Sequence, residues 1–335
     1  MKTAASKVLI IRSDRIGDVV LTLPMAEVLK GDGNAEVWFM GRDYTADLIK
    51  ASPFVDGFLS RDEFDGGSIS DAVTMLREYR FARVFVVSPD FKIALICFLA
   101  GINKRTGTGY RWYSFLFNDR VFEHRKTAER NELEYNLRMI PWNGNYSYSV
   151  DTFKFIPGFS RFTPDNTKAV TLIHPGSGGS AADLPVEKYR EIVKMLSEDG
   201  RFDLYITGSV SEIGKCNEVK GETDAVVLAG DLDLKELTSL IKESDLFISN
   251  STGPLHIAAA AGSFSVGFYP KVTQCSAERW GPWTTRRLIF TPEIDCHDCT
   301  LKQCARLNCM SSIDSEKVVT AIKDNFSEIK DWKKQ

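Results

Sequence analysis

No stretch of this chain is long and apolar enough to suggest a membrane crossing. The longest apolar run of its first half, Ile93 to Ala100, falls far short of the roughly 20 residues a spanning helix needs. The start, MKTAASKVLIIRS, lacks a long apolar core ahead of a cleavage site, so no secretory signal is expected. A surplus of positive charge is missing as well. Lys and Arg number 42 against 45 Asp and Glu, a net charge of −3, which argues against a general nucleic-acid binder. Neither a P-loop nor a G-x-G-x-x-G is present. Cysteine is not scarce, at seven, but without an export signal these residues point to reduced thiols or a metal and not to a disulfide framework. The expected compartment is the cytoplasm.

What is present is a soluble globular composition, 43% hydrophobic and 26% charged, in 335 residues. That length suits two domains of about 150 residues each. Strand-like runs and helical stretches alternate: Val8 to Ile11, Glu36 to Met40, Val55 to Leu59 and Arg83 to Val87 in the first half, then strands starting near 170, 203, 226, 245 and 265. Alternation of this kind implies parallel sheets covered by helices on both faces. The expected fold class is therefore α/β, with two Rossmann-like, doubly wound domains facing a cleft. The expected limits are 1–160 and 161–335, with a hinge inside the Asn-, Ser-, Tyr- and Pro-rich stretch from Pro141 to Pro164. A terminal helix from about Ser315 to Trp332 carries Val318, Val319, Ile322, Phe326 and Ile329 on one stripe, and the first domain is one candidate for what that stripe packs against.

The chemistry is expected at the carboxyl ends of the strands, where open α/β sheets place ligands. The first strand runs into Arg12-Ser13-Asp14-Arg15-Ile16-Gly17-Asp18, which sets Asp18 and two arginines at that edge; a plain helix cap is the competing reading for Asp18. The strand near 170 ends in His174-Pro175-Gly176-Ser177-Gly178-Gly179-Ser180, whose backbone N–H groups could cradle a phosphate. The next ends at Thr207-Gly208-Ser209, with Glu212 placed either to take ribose hydroxyls or simply to start a helix. The stretch DLFISNSTGPLHIAAAAG, Asp245 to Gly262, reads as strand, tight turn and helix start, with Pro254 near the first helical position. Such a helix start binds phosphate without a charged side chain. From Arg80 to Arg130 there are ten Lys/Arg against four Asp/Glu. Within that span Lys104 to Phe117 interleaves basic and aromatic residues, as if to hold an anionic, partly apolar ligand or to lie on a membrane; a buried strand with a solvated rim is the alternative. Cys296, Cys299, Cys304 and Cys309 are spaced C-x2-C-x4-C-x4-C, which matches no common zinc or ferredoxin pattern, so a reduced, packed loop is expected in place of a metal site.

Four pieces, KVLIIRSDRIGDVVLTLP, LIHPGSGGSAADLPVEKY, ISNSTGPLHIAAAAG and the RWGP…CHDC…CM tail, together resemble glycosyltransferase family 9, the heptosyltransferases of lipopolysaccharide core synthesis. The resemblance spans nearly the whole chain. It implies the GT-B arrangement, an inverting sugar transfer from a nucleotide diphosphate, and no cofactor. Asp18 corresponds to the general base. Ser177, Gly178, Ser251, Thr252, Gly253 and His256 fall at the diphosphate positions, and Leu232 at the adenine contact. Arg12, Arg15, Lys104, Arg105 and Arg111 would face an anionic acceptor, lipid A carrying Kdo or core oligosaccharide, at the cytoplasmic face of the inner membrane. The donor implied is ADP-heptose. Two positions depart from the family: Ala182 stands where a lysine is usual, and Ser251 where the better-known heptosyltransferases have aspartate. A non-catalytic paralogue and a sugar-nucleotide epimerase on the same fold are the competing readings.

Overall fold

A computed structural model of the chain describes residues 6–31, 35–141, 167–179, 181–294 and 299–331. It divides into two compact units, residues 1–125 with 132–154, and residues 126–131 with 155–335. The short segment Lys126–Asn131 thus clusters with the second unit, where the Asn131 side-chain amide donates to the Gly281 carbonyl at 2.9 Å. The expected hinge falls almost wholly outside the described residues.

The first unit holds six parallel strands: β1 (Ser6–Ile11), β2 (Ala35–Gly41), β3 (Gly57–Ser60), β4 (Arg83–Val86), β5 (Lys104–Thr108) and β6 (Asp119–Val121), in the order β3-β2-β1-β4-β5-β6. The second holds β7 (Ala169–His174), β8 (Phe202–Ile206), β9 (Val226–Val227), β10 (Leu246–Asn250), β11 (Phe264–Phe268) and β12 (Arg287–Phe290), in the order β12-β11-β10-β7-β8-β9. Counted within its own unit, each sheet has the order 3-2-1-4-5-6. The strand order therefore reverses between β1 and β4, and again between β7 and β10. At such a switch point the loops leave in opposite directions and open a crevice at the carboxyl ends of the strands.

Burial explains which strands the sequence announces. β7, β10 and β11 are buried at every residue and read as near-continuous apolar runs, as parallel strands covered on both faces must. β6 and β12 escape notice, and β5 is read as a strand only in one of two alternatives, because they lie toward sheet edges and carry charge: Lys104 and Arg105 open β5, Asp119 and Arg120 open β6, and Arg287 opens β12. The basic segment near 104 is thus a strand with a solvated rim.

The terminal stripe resolves the other way from the option that set it on the first domain. Val318, Val319, Ile322 and Ile329 lie in the core of the second unit, with Tyr189, Ile192 and Leu196 of the helix Val186–Asp199. Two helices replace the single one expected, Ser315–Asp324 and Phe326–Asp331. Asn325 separates them, its side-chain amide donating to the Ala321 carbonyl at 2.8 Å. Such a local bond competes with helix continuation.

Candidate active site

In the first unit, β1 delivers Arg12 to the switch point as a buried cation. Its guanidinium is ringed by acids: Nη2 pairs with Oδ1 of Asp18, Nε lies 3.0 Å from Asp14, and Nη1 lies 3.4 Å from Glu132. Glu132, only 1% exposed, begins the helix Glu132–Leu137 and also pairs with Arg125. Asn136, one turn on, accepts from Arg125 at 2.8 Å and donates to the Leu21 carbonyl and the Thr22 hydroxyl. A buried carboxylate and a buried guanidinium are each costly alone, and pairing with further hydrogen bonds is what makes them tolerable. On the β4 side Ser88 donates to Asp14 at 2.8 Å, and on the β2 side the Tyr44 hydroxyl donates to the Asp14 carbonyl at 2.9 Å.

Asp18 sits in the first turn of the short helix Ile16–Val20, whose N-cap, Arg15, makes no side-chain cap bond. The capping alternative fails because Arg12 takes Oδ1 and no backbone N–H is bonded to the carboxylate among the described residues. The Asp18 carboxyl is raised above the ordinary aspartate range. Burial is the main cause, Arg12 pulls it back, and the neighbouring Asp14 and Glu132 add to the rise. A carboxylate of raised pKa is a better proton acceptor near neutral pH than an exposed one.

In the second unit the turns after β7, β8 and β10 are tied together. The Asn250 side chain donates to the Pro175 carbonyl at 2.8 Å and accepts from the Leu184 N–H at 2.9 Å, stapling the glycine loop to the switch point. Gly178 and Gly179 have φ of +56° and +76°, the left-handed region that favours glycine. Gly176 is required for another reason: a Cβ there would stand 1.7 Å from the Glu212 carboxylate. Glu212 itself accepts from both the N–H and the hydroxyl of Ser209, at 2.8 and 2.7 Å, in a capping box. Those bonds hold its carboxyl below the usual range against the opposing effect of burial. The cap reading of Glu212 therefore accounts for its contacts, while its place beneath the glycine loop supports that loop's shape.

The helix Gly253–Ala261 starts at Thr252, which makes no side-chain cap bond, whereas helices elsewhere are capped by Ser68, Asp233 and Asp314. Its first-turn N–H groups are thus not covered by their N-cap side chain. His256, on the second turn, is buried with no partner for Nδ1 among the described residues. Burial drives its pKa down to about 4, so it is a neutral imidazole at pH 7. His174 is likewise lowered to about 4 by burial, and its Nδ1 lies 3.0 Å from the Thr207 hydroxyl. Ser251 is buried beside this helix start, and nearby the Tyr269 hydroxyl donates to the Trp280 carbonyl at 2.8 Å.

Ser177, Gly178, Gly208, Leu232, Ser251, Thr252, Gly253 and His256 thus all lie on loops or helix starts at one edge of the second sheet. Among the basic candidates, Arg12 joins Asp18, Arg15 is exposed one turn away, and Arg111 is exposed in the turn after β5. Lys104 and Arg105 do not join them. They open β5, and the register places Lys104 level with Arg83 and Val8, about 13 Å of strand before Arg12. The Arg105 guanidinium also donates to the Leu116 and Ile102 carbonyls.

Residues 71–310 match the family model for glycosyltransferase family 9 (heptosyltransferase). The chain belongs to that family. It is 24% identical over 296 residues to lipopolysaccharide heptosyltransferase 2 of Escherichia coli, covering 78% of this chain and 82% of that one. Its fold matches the family 9 glycosyltransferase of Veillonella parvula with a TM-score of 0.79 at 15% identity, over 98% and 99% of the two chains. It also matches E. coli heptosyltransferase WaaC, solved with ADP, with a TM-score of 0.72 at 14% identity over 95% and 99%. The two sheets are the GT-B fold of these glycosyltransferases, and this chain is one of them.

Two features of this family 9 chain were missed in the sequence. Glu132, Arg125 and Asn136 complete the Asp18 network from more than 100 residues away, and nothing in their local pattern points there. Lys215, on the helix Ile213–Lys220, lies 3.1 Å from Asp183 and acts electrostatically on both His174 and Glu212, so it supplies a cation next to the position where Ala182 lacks one. In the tail, Cys304 and Cys309 are buried around Val272 with Cys299 against them, while Cys296 lies outside the described residues.

Proposed function

We propose that this glycosyltransferase moves heptose, or a closely related sugar, from an ADP-type nucleotide sugar to the lipopolysaccharide inner core, inverting the anomeric carbon. The first unit takes the acceptor, lipid A carrying Kdo or core oligosaccharide, and the second takes the donor. Such an acceptor is lipid-anchored, which puts the enzyme at the cytoplasmic face of the inner membrane.

The observation that carries this reading is the Asp18 network. A binding module has no use for a carboxylate buried beside an arginine, raised in pKa and, among the described residues, left with one oxygen uncommitted. In the reaction Asp18 takes the proton of the acceptor hydroxyl as its oxygen attacks the anomeric carbon from the face opposite the diphosphate. The new C–O bond forms, the bond to the diphosphate oxygen breaks, and ADP leaves with both electrons. Arg12 keeps Asp18 oriented and ionised, and Glu132 and Arg125 keep Arg12 in place.

The developing negative charge on the diphosphate meets the glycine loop after β7 and the start of the helix Gly253–Ala261, whose dipoles are fixed before reaction. His256 adds a neutral imidazole. Leu232 offers an apolar contact for adenine. Lys215, paired with Asp183 next to Ala182, can stand in for the missing lysine, whereas Arg12 is already shared among three acids of its own unit. Ser251 can accept from a sugar hydroxyl, but it offers no carboxylate.

A donor screen against one Kdo-containing acceptor tests the reading. ADP-heptose is expected to turn over in the wild type. A clear preference for a UDP- or CMP-linked sugar would overturn the ADP-type donor and leave the family intact. Ala182→Lys with Ser251→Asp is expected to raise activity with ADP-heptose if heptose is the native sugar, and to lower activity with the native donor if it is another.

A further inference from the structure

We propose that the outward face of the helix Phe91–Leu99, together with the loop 110–115, is a docking surface for an anionic lipid bilayer. This helix is apolar on both sides. Ile93, Ala94, Ile96 and Cys97 fill the first unit's core. Phe91, Phe98 and Leu99 stand exposed, and with half-buried Leu95 they follow the i, i+4, i+7, i+8 spacing of a single stripe. An apolar stripe facing solvent is the mark of a covered surface.

The loop after β5 extends it. Trp112 is 73% exposed and packs on Phe91, with ring centroids 4.8 Å apart; Phe115 is 62% exposed. The feature is confined to one unit. Every exposed aromatic side chain among the described large hydrophobics lies in the first, whereas the second exposes only aliphatic ones such as Val210 and Leu307. A Trp and several Phe on one surface suit the headgroup boundary of a bilayer.

Charge selects the occupant. Residues 91–117, which carry the stripe and the loop, hold four Lys/Arg and no Asp/Glu in a chain whose net charge is −3. The Arg105 guanidinium lies over the Phe98 ring at 5.3 Å, Arg77 donates to the Leu99 carbonyl at 2.7 Å, and Arg111 adjoins Trp112. The acids at the other end, Asp65 and Asp90, are both paired with Arg61. Apolar contact inside a cationic rim complements anionic headgroups. A second copy is disfavoured, because a two-fold dimer through this face would set like charges against each other. The stripe begins at the carboxyl edge of the sheet, the edge that bears Asp18, so docking would present that edge to a lipid-linked acceptor. The biological purpose rests on the proposed acceptor; the binding itself does not.

The test is flotation of the full-length protein with vesicles of phosphatidylcholine alone or mixed with phosphatidylglycerol, without donor or acceptor. The wild type is expected to bind the anionic vesicles roughly tenfold better, with binding falling as salt rises. Phe98→Ser with Trp112→Ser should lower that binding by about tenfold or more and leave the ADP-induced thermal shift unchanged. If the double variant fails to fold, tryptophan fluorescence answers the same question: anionic vesicles should blue-shift the wild type and not Trp112→Phe. Failure of the wild type to bind, equal binding to both vesicle types, or a dimer broken by the same substitutions would overturn the inference. In each of those cases intact sugar transfer to a detergent-solubilised acceptor would leave the transferase reading standing.

Discussion

At the switch point of the first sheet the chain places charge; at the switch point of the second it places backbone. β1 delivers Arg12, around which Asp14 and Asp18 close from the next turn and Glu132, itself paired with Arg125, from far along the chain. β7 ends in His174 and turns through glycines held by Asn250, beside a helix start without a side-chain cap. Strand order, parallel pairing and crevice are the same in both units. The difference teaches that this topology fixes where a ligand binds and leaves open how it is held. A proton acceptor needs a side chain whose pKa is set by burial and neighbours. A diphosphate needs only N–H groups pointing one way.

The sharpest way to break that contrast is Asp18→Asn, which keeps the shape and removes the base. Turnover should fall by about 10²- to 10⁴-fold with ADP affinity nearly unchanged, read by steady-state kinetics and calorimetry. Equal turnover would make the first switch point a structural ion-pair cluster. Next in size is Lys215→Ala. A lost charge-assisted contact to the leaving diphosphate costs about 1.5–3 kcal/mol, so turnover should drop by roughly 10- to 150-fold, while Lys215→Arg retains much of it. No change in either variant would mean that backbone dipoles alone hold the diphosphate.

Glu132→Gln sharpens the comparison without touching substrate. Removing this anion takes away one of the causes that raise Asp18 and leaves Arg12 more strongly on Asp18, so both effects favour the carboxylate. The acid limb of the kcat/KM profile should therefore move to lower pH. An unmoved limb would separate Glu132 from the base.

A separate effect is on stability and not on rate. His174 and His256 are lowered to about 4 from the 6.5 of a free histidine. Between those values the unfolded chain binds more protons than the folded one, so the stability these neutral imidazoles contribute is present above about 6.5 and is lost as pH falls toward 4. The slope is at most about 1.4 kcal/mol per pH unit for each. Hydrogen exchange should show peptides of the second unit opening first over that window, and equal opening of both units would contradict it.

Much of this was legible in the sequence, for physical reasons. Buried parallel strands such as β7 and β10 are apolar throughout and announce themselves. Turns that need left-handed φ announce themselves through Gly178 and Gly179, and helix starts through Ser, Thr and Pro. What stayed hidden depends on distant packing. β6 and β12 carry edge charge and do not read as strands. Asn325 divides a helix that periodicity alone would continue. The distant partner of Arg12 is Glu132, and no spacing rule reaches across 120 residues. Lys104 and Arg105 looked like acceptor contacts because composition cannot tell the amino end of a strand from the carboxyl end.

The division of labour between the units is tested most directly by hydrogen exchange of the full chain with and without ADP. The account predicts added protection in the turns at 174–179 and 250–256 and around Leu232, with none at 12–18. Protection at Arg12 to Asp18, or no change in the three turns of the second unit, would contradict it.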